Sequence, residues 1–320
     1  MPTRPRLTFF VELAAEPLAA LLARPEVIPF LAEQGCALSM GLLDLSPERA
    51  AWVRRLESSG VPVTAWLLLD VADGYWLNAD NAHVAAARWR ETRDWAERED
   101  LRLRRVGLDV EFPRSESQGV LRDRRRAVLG MFRRRRPRER VLQAERDYVA
   151  LVEEIRATGR TVEAYHFPYL LDERAAGTTL LRRSLGLVDV PVDAEVFMLY
   201  ATYLGRASAR AYFPDAPCIA LGVTGGGVNA LEPEARSRHL RWSELEPELR
   251  AAAEHTSEVY VFSLEGCVEK DWLGKLGAIR WSDPAPPIPA NEMRRARRSR
   301  AIARWALRAE PLLDRLFPAR

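Results

Sequence analysis

Short apolar runs alternate along the chain with longer segments in which apolar residues recur every three or four positions. These two periods separate strands from amphipathic helices. The runs Leu7–Leu13, Ala37–Leu43, Val61–Leu69, Leu103–Phe112, Thr161–Phe167, Glu195–Ala201, Cys218–Val223 and Glu258–Leu264 read as eight strands. Helices are predicted over Pro17–Gln34, from Ser46-Pro47-Glu48 onward, over Ala82–Arg98 and over Tyr148–Ala157. Ser46 is a good N-cap, and Pro47 suits the first helical position. Ser243 and Glu246 form a capping-box pattern for a helix reaching about His255, and Asn291–Leu316 reads as a terminal helix. Alternation of this kind implies parallel strands with right-handed crossovers. Eight such strands predict an α/β fold, a closed (β/α)8 TIM barrel, with an open doubly wound sheet as the alternative. No GxGxxG follows the first strand, which weakens a dinucleotide-binding reading. The barrel is assigned to residues 1–282, and residues 283–320 to a Pro-rich linker and a C-terminal helix packed on it. About fifty residues separate strands four and five, a long insertion that carries the Arg-rich block Arg122–Arg140.

Composition narrows this picture. The 320 residues are 48% hydrophobic and 29% charged, a globular balance that excludes a disordered chain. No apolar run reaches the ~18 residues of a membrane span. Glu12 and Glu16 interrupt the apolar start, so it reads as strand and helix rather than a secretory signal. Forty-eight bases against 45 acids give +3, which argues against a polyanion binder acting over its whole surface. Cys36, Cys218 and Cys267 are odd in number and far apart, so no disulfide framework is expected and a cytoplasmic location is the default.

In a (β/α)8 barrel the chemistry lies at the carboxyl ends of the strands. There the sequence places Glu12, Asp44, Asp70, Asp109, Glu111, His166, Tyr200, Thr224 and Glu265, with Tyr75, Trp76, Asn78 and Tyr203 in adjoining loops. Carboxylates beside Tyr and Trp suit carbohydrate: acid–base groups for the glycosidic bond, flat rings for the C–H faces of sugars. The sharpest element is Val106-Gly107-Leu108-Asp109-Val110-Glu111-Phe112. Strand alternation puts Asp109 and Glu111 on one face. Their mutual repulsion raises one pKa and keeps a proton available for general-acid work. Glu265, in phase with Val259, Val261 and Ser263, is a candidate second carboxylate, and Tyr200, in phase with Met198, a hydrogen-bond donor. The competing readings are carboxylates solvated at a strand end or paired with Arg, a Glu265 that caps the next helix or pairs with an Arg, and a Tyr packed at the barrel rim.

Asp109-Val110-Glu111 on strand four and Met198-Leu199-Tyr200 on strand six resemble the motifs of chitinase-type (family 18) glycoside hydrolases. The Asp-x-Glu pair is also similar to that of family 25 lysozymes. The resemblance implies a sugar-cleaving barrel with Glu111 as general acid. It further implies that Asp109 orients a substrate acetamido group or stabilises the charged intermediate, and that Tyr200 hydrogen-bonds near the reacting centre. The chain departs from the chitinase-type motif at Gly107 and Arg104, where that motif has Asp, and at Ala201, where an Asp follows the tyrosine.

The expectation is therefore a glycoside hydrolase-like enzyme of carbohydrate metabolism. Glu111, Asp109, Glu265 and Tyr200 are catalytic, and Asp70, Tyr75, Trp76, Asn78, His166 and Tyr203 bind substrate. No cofactor or metal is required. One alternative is a metal-dependent, xylose-isomerase-like isomerase or lyase using His166 with Glu111 and Glu265. Another is a non-catalytic module that sits on an anionic surface through its Arg clusters. The Gly222-Val223-Thr224-Gly225-Gly226-Gly227 loop lacks the Lys and Ser/Thr of a P-loop and reads as a tight turn or an anion subsite. Arg133-Arg134-Arg135-Arg136 reads as a solvated loop, or as a contact to nucleic acid or membrane. Arg294, Arg295, Arg297, Arg298 and Arg300 precede Trp305, Leu307, Leu312, Leu313 and Leu316. That helix either packs on the barrel or lies at a membrane interface. The partners expected are a carbohydrate or glycoconjugate substrate and, weakly, an anionic membrane surface; no specific nucleic acid is predicted.

Overall fold

The computed structural model describes residues 4–113, 135–227 and 238–316. Eight parallel strands close into a barrel in sequence order. They are β1 (Arg6–Val11), β2 (Ala37–Gly41), β3 (Val63–Leu67), β4 (Arg105–Asp109), β5 (Thr161–His166), β6 (Ala194–Met198), β7 (Cys218–Gly222) and β8 (Glu258–Phe262). The ring is sealed by β1 pairing with β8 from Arg6↔Glu258 to Phe10↔Phe262. The helices are α1 (Ala15–Leu22), α2 (Val27–Glu33), α3 (Pro47–Ser58), α4 (Ala82–Arg98), α5 (Arg138–Arg156), α6 (Tyr169–Ala176) and α7 (Leu180–Leu185). They continue with α8 (Ala201–Leu204), α9 (Arg206–Arg210), α10 (Trp242–Ala253), α11 (Leu264–Glu269), α12 (Leu273–Gly277), α13 (Ala290–Leu307) and α14 (Glu310–Leu316).

The strands are buried on both faces, and each face has its own core. Outward residues such as Phe9, Leu38, Leu67, Leu108, Phe197 and Val261 pack under the helices. Inward residues fill the barrel: Phe10, Trp66, Tyr165, Val196, Met198, Ala220 and Tyr260. Aromatics dominate the interior. Phe10 lies 4.8 Å from Tyr165 and 5.3 Å from Trp66, ring to ring, both edge-on. That packing requires Gly107, because a Cβ there would stand 2.8 Å from Tyr165 Cζ. The departure from the chitinase-type motif at this position thus has a physical cause: the space is filled from β5.

The expected helices are present with shifted bounds. The predicted Pro17–Gln34 helix is two, α1 and α2, interrupted around Arg24-Pro25, where proline removes a helical N–H. Ser46 caps α3 as expected, accepting from the Arg49 N–H at 3.2 Å. The capping contact of α10 is set two residues earlier than Ser243 and Glu246: Glu244 accepts from the Arg241 N–H at 2.9 Å. The terminal helix is broken into α13 and α14.

Most of the Arg122–Arg140 block, including Arg133 and Arg134, lies outside the described residues. Its described end corrects the reading of a solvated loop. Arg135 is buried, donating to the Leu313 carbonyl at 3.0 Å and pairing with Asp314 at 2.9 Å. Arg136 grips the Asp80 carboxylate with Nε and Nη2. These arginines fasten α14 and the loop after β3 to the start of α5.

Among the described residues no helix is long and apolar enough to cross a membrane. The three cysteines are free and buried.

Candidate active site

The carboxyl end of the barrel is built from β1, β4, β8 and the loop after β3. That loop turns back so that Leu77 bridges Val110 in parallel. Leu77 N–H donates to the Asp109 carbonyl at 2.9 Å, and Glu111 N–H to the Leu77 carbonyl at 3.0 Å. The pairing keeps β4 extended past its last ladder residue. Asp109 and Glu111 therefore share the inner face, as the alternation predicts.

Asp109 is buried and accepts from Trp66 Nε1 at 3.2 Å. The Glu111 carboxyl accepts no hydrogen bond from a described residue. Burial raises both carboxyls above their ordinary range, and for Glu111 the charges of Asp109 and Glu12 add to it. Glu12, at the end of β1, is buried and pushed up to about 8, mainly by desolvation. It accepts a short hydrogen bond from the Tyr75 hydroxyl. Tyr75 reaches it from a backbone φ of 67°, a conformation bulky residues avoid. Glu265 begins α11 with only 8% exposure and is pushed up to about 7, again mainly by burial. Its Oε1 accepts from Gly227 N–H at 2.8 Å and from Glu12 N–H at 3.4 Å. Its Oε2 has no hydrogen-bond partner among the described residues.

The glycine run after β7 serves this carboxylate. Gly226 has φ 77°, and a Cβ on it would stand 2.6 Å from Glu265 Cδ. Its neighbour Gly227 spends its N–H on Glu265. The loop thus cradles a carboxylate of the chain itself, and the tight-turn reading fits better than an anion subsite. Tyr200 lies half-buried at the same mouth, its ring 6.1 Å from those of Tyr203 and Phe262. Burial, then the charges of Asp109 and Glu111, hold its hydroxyl protonated far above the usual tyrosine range.

The structure therefore brings together Asp109, Glu111, Glu265, Tyr200 and Tyr75. Trp76 packs edge-on against Tyr75 at 5.5 Å within the inner core, and Tyr203 is exposed beside Tyr200. Asn78 is buried and spent on its own turn, donating to the Trp76 carbonyl at 3.1 Å and accepting from Asp80 N–H at 3.0 Å. Asp70 is exposed at the start of the 3-10 turn Val71–Asp73. His166 lies on the opposite face of β5 from Tyr165, against Phe197 at 5.8 Å. Burial lowers it to about 4, so it is neutral, and its nearest carboxylate is Glu195 at 4.0 Å. It does not meet Glu111 and Glu265, and among the described residues no three His, Cys, Asp or Glu side chains are set to hold a metal ion. Asp44 is taken by Arg49 at 2.6 Å and held at about 2.

Two contributors carried no role in the sequence reading. Glu12 stood among the strand-end residues, and its phase with Thr8 and Phe10 was the available signal. The Trp66 hydrogen bond to Asp109 had none, since a tryptophan in an apolar strand reads as core.

A cleft of about 800 Å³ opens at the opposite, amino-terminal end, lined by Arg105, Arg174, Glu195, Cys218 and Glu258. Its arginines are paired: Arg105 with Glu163 at 3.0 Å, Arg174 with Asp189 at 2.5 Å. Each is also shared with a second carboxylate, Arg105 with Glu258 at 3.5 Å and Arg174 with Glu195, so neither lining arginine is a free cation.

No family model and no curated protein matches this sequence. Solved structures do match in shape. A family 18 glycoside hydrolase chitinase from Pseudoalteromonas aurantia is similar at TM-score 0.48 and 9% identity, over 85% of this chain and 99% of that one. The glycoside hydrolase domain of PgaB from Bordetella bronchiseptica is similar at 0.46 and 8%, over 86% and 98%. A xylose isomerase domain protein from Planctomyces limnophilus is similar at 0.46 and 12%, over 87% and 97%.

Proposed function

We propose that this chain hydrolyses glycosidic bonds in a carbohydrate or glycoconjugate bound across the carboxyl-terminal mouth of the barrel. The observation that carries the reading is that buried Asp109 and half-buried Glu111 share one face at the end of β4, close to Glu12, with no basic side chain bonded to either among the described residues. Such a pair keeps a proton near neutral pH.

Glu111 holds that proton as general acid. It passes it to the glycosidic oxygen as the bond to the anomeric carbon breaks and the electron pair leaves with that oxygen. The carboxylate so formed then takes a proton from the water that adds to the anomeric carbon. Asp109, steadied by Trp66, supplies negative charge opposite the cation that develops. Glu265 and the Glu12–Tyr75 pair line the same mouth, where they bind substrate hydroxyls. Tyr200 remains an O–H donor throughout. Tyr203 presents an exposed ring to a sugar face.

The test is turnover of a panel of aryl glycosides and natural oligosaccharides by wild type and Glu111→Gln side by side. The expected outcome is activity on at least one sugar, reduced on the order of 10³-fold in the variant with its melting temperature kept. Near-normal turnover by Glu111→Gln removes the assignment.

A further inference from the structure

Helix α13 carries its arginines on two faces that behave differently. Arg300 and Arg304 point inward and converge on Asp172, buried on α6, at 2.9 and 2.8 Å. Tyr212 also donates to Asp172, at 2.5 Å, and Arg300 lies over the Tyr212 ring at 3.7 Å. Ala296 and Leu307 are buried on the same side. At about 100° per residue these positions form one stripe, and they account for the docking of the helix on the barrel.

The opposite stripe is Arg294, Arg295, Arg297, Arg298, Ile302, Trp305 and Arg308. All seven are exposed, and none of the five arginines makes an ion pair with a described residue. Trp305 is 74% exposed and Ile302 57%. Helix α14 repeats the division. Glu310 and Asp314 face inward to Thr179, Arg183 and Arg135, while Leu312 and Leu316, four residues apart, are 57% and 60% exposed. The remaining large exposed apolar side chains among the described residues are Val71, Val149, Tyr169 and Tyr203. Half of the eight therefore lie on these two terminal helices, and those on α13 stand beside uncompensated positive charge.

We infer that the outer face of α13 and α14 is a docking surface for an anionic lipid bilayer, with Ile302, Trp305, Leu312 and Leu316 entering the headgroup region and the five outward arginines held by lipid phosphates. Charge decides the occupant. Cations unpaired among the described residues, with no interspersed carboxylate, complement an anionic surface, and a tryptophan flanked by arginines is the side-chain set that sits at the boundary between headgroups and acyl chains. A second copy of the chain would bring the same five arginines face to face.

The experiment is co-sedimentation of the full chain with vesicles of phosphatidylglycerol and, separately, phosphatidylcholine. Binding to phosphatidylglycerol, weakened by salt and absent from phosphatidylcholine, is expected. Each arginine contributes about fivefold at low salt, so Arg294→Glu with Arg298→Glu should weaken binding at least tenfold, and Trp305→Ser should weaken it independently. These side chains are exposed, so the melting temperature of each variant serves as the folding control. Glu111→Gln should bind vesicles as wild type does, which separates this test from that of the hydrolase reading. Absence of binding to phosphatidylglycerol at low salt overturns the inference. So does binding that Trp305→Ser and the arginine reversals leave unchanged, a dimer that Trp305→Ser dissolves in a chain that ignores vesicles, or binding to a DNA duplex without binding to vesicles.

Discussion

The barrel buries carboxylates at both ends and treats them in opposite ways. At the amino-terminal floor, Glu163 is fully buried, yet both its oxygens are occupied. Oε1 accepts from the Tyr165 hydroxyl at 2.7 Å, and Oε2 from the Tyr260 hydroxyl at 2.8 Å and Arg105 at 3.0 Å. Ser39 continues the chain to Tyr165 at 2.6 Å. At the mouth, Glu12, Asp109 and Glu265 receive hydrogen bonds from a tyrosine, an indole and backbone amides, Glu111 receives none from a described residue, and none of the four has an ion pair among the described residues. A carboxylate cluster without a counter-charge costs stability, and the floor shows that this chain can build the compensated alternative. The mouth is where the fold tolerates that cost, and tolerance of this kind marks functional sites.

Substitution at the two ends should separate function from structure. Glu111→Gln is expected to cost about 10³-fold in kcat with little change in stability. Glu12→Gln addresses the electrostatic cost directly. Glu12 titrates near 8 and Glu265 near 7 in the fold, against about 4.5 for an unperturbed glutamate. The folded state therefore binds more protons than the unfolded state between these values. The contribution is fully present below about pH 4.5 and is lost as pH rises through 7 to 8. Glu173, held near 7, adds to the same slope in wild type, so the informative quantity is the difference between proteins. At roughly 1.4 kcal/mol per pKa unit, Glu12→Gln should be more stable than wild type by about 3–5 kcal/mol at pH 9 and nearly equal to it at pH 5. Urea unfolding at the two pH values measures this, and equal differences at both would mean that the mouth carries no such penalty. At the floor the expectation reverses. Glu163→Gln leaves Arg105 with Glu258 alone as an ion-pair partner, at 3.5 Å, and should destabilise by roughly 3 kcal/mol near pH 7, with turnover by the remaining folded protein unchanged.

How much of this was legible in the sequence follows from the range of the forces involved. The eight strands and their order are local: apolar runs and turn residues are written in consecutive positions, and all eight appear where the pattern puts them. The shared face of Asp109 and Glu111 is local too, being a matter of alternation. Helix bounds failed where one residue changed the backbone, as at Pro25, and where a cap was chosen among neighbouring candidates, as at Arg241 and Glu244. His166 was misplaced for a different reason. Alternation puts it out of phase with Glu163, Tyr165 and Phe167, but its position at a strand end favoured the mouth. Arg135 and Arg136 were illegible as clamps because their partners, Asp314 and Asp80, lie 179 and 56 residues away. A run of like charge says nothing about which members find distant carboxylates.

Gly107 lies on the boundary between the two ends, and a substitution there asks whether they are independent. Gly107→Ala forces Tyr165 to move, since the new Cβ would stand 2.8 Å from Cζ and 3.0 Å from Cε2 of that ring. Overpacking of this kind costs about 1–3 kcal/mol. Displacement of Tyr165 loosens the floor first, through its hydrogen bonds to Glu163 and Ser39. It reaches the mouth through Trp66, whose ring lies 5.9 Å away, edge-on, and whose indole N–H holds Asp109, and through Phe10, 4.8 Å away and itself 6.0 Å from Phe262. If the aromatic layer isolates the ends, the variant loses stability and keeps its turnover within a few-fold. If turnover collapses toward that of Glu111→Gln while the protein remains folded at the assay temperature, the mouth takes its geometry from the floor, with Trp66 as the link. Trp66→Phe, which removes the donor to Asp109 while keeping an aromatic ring in the layer, would then reproduce the loss of turnover without the overpacking strain at position 107.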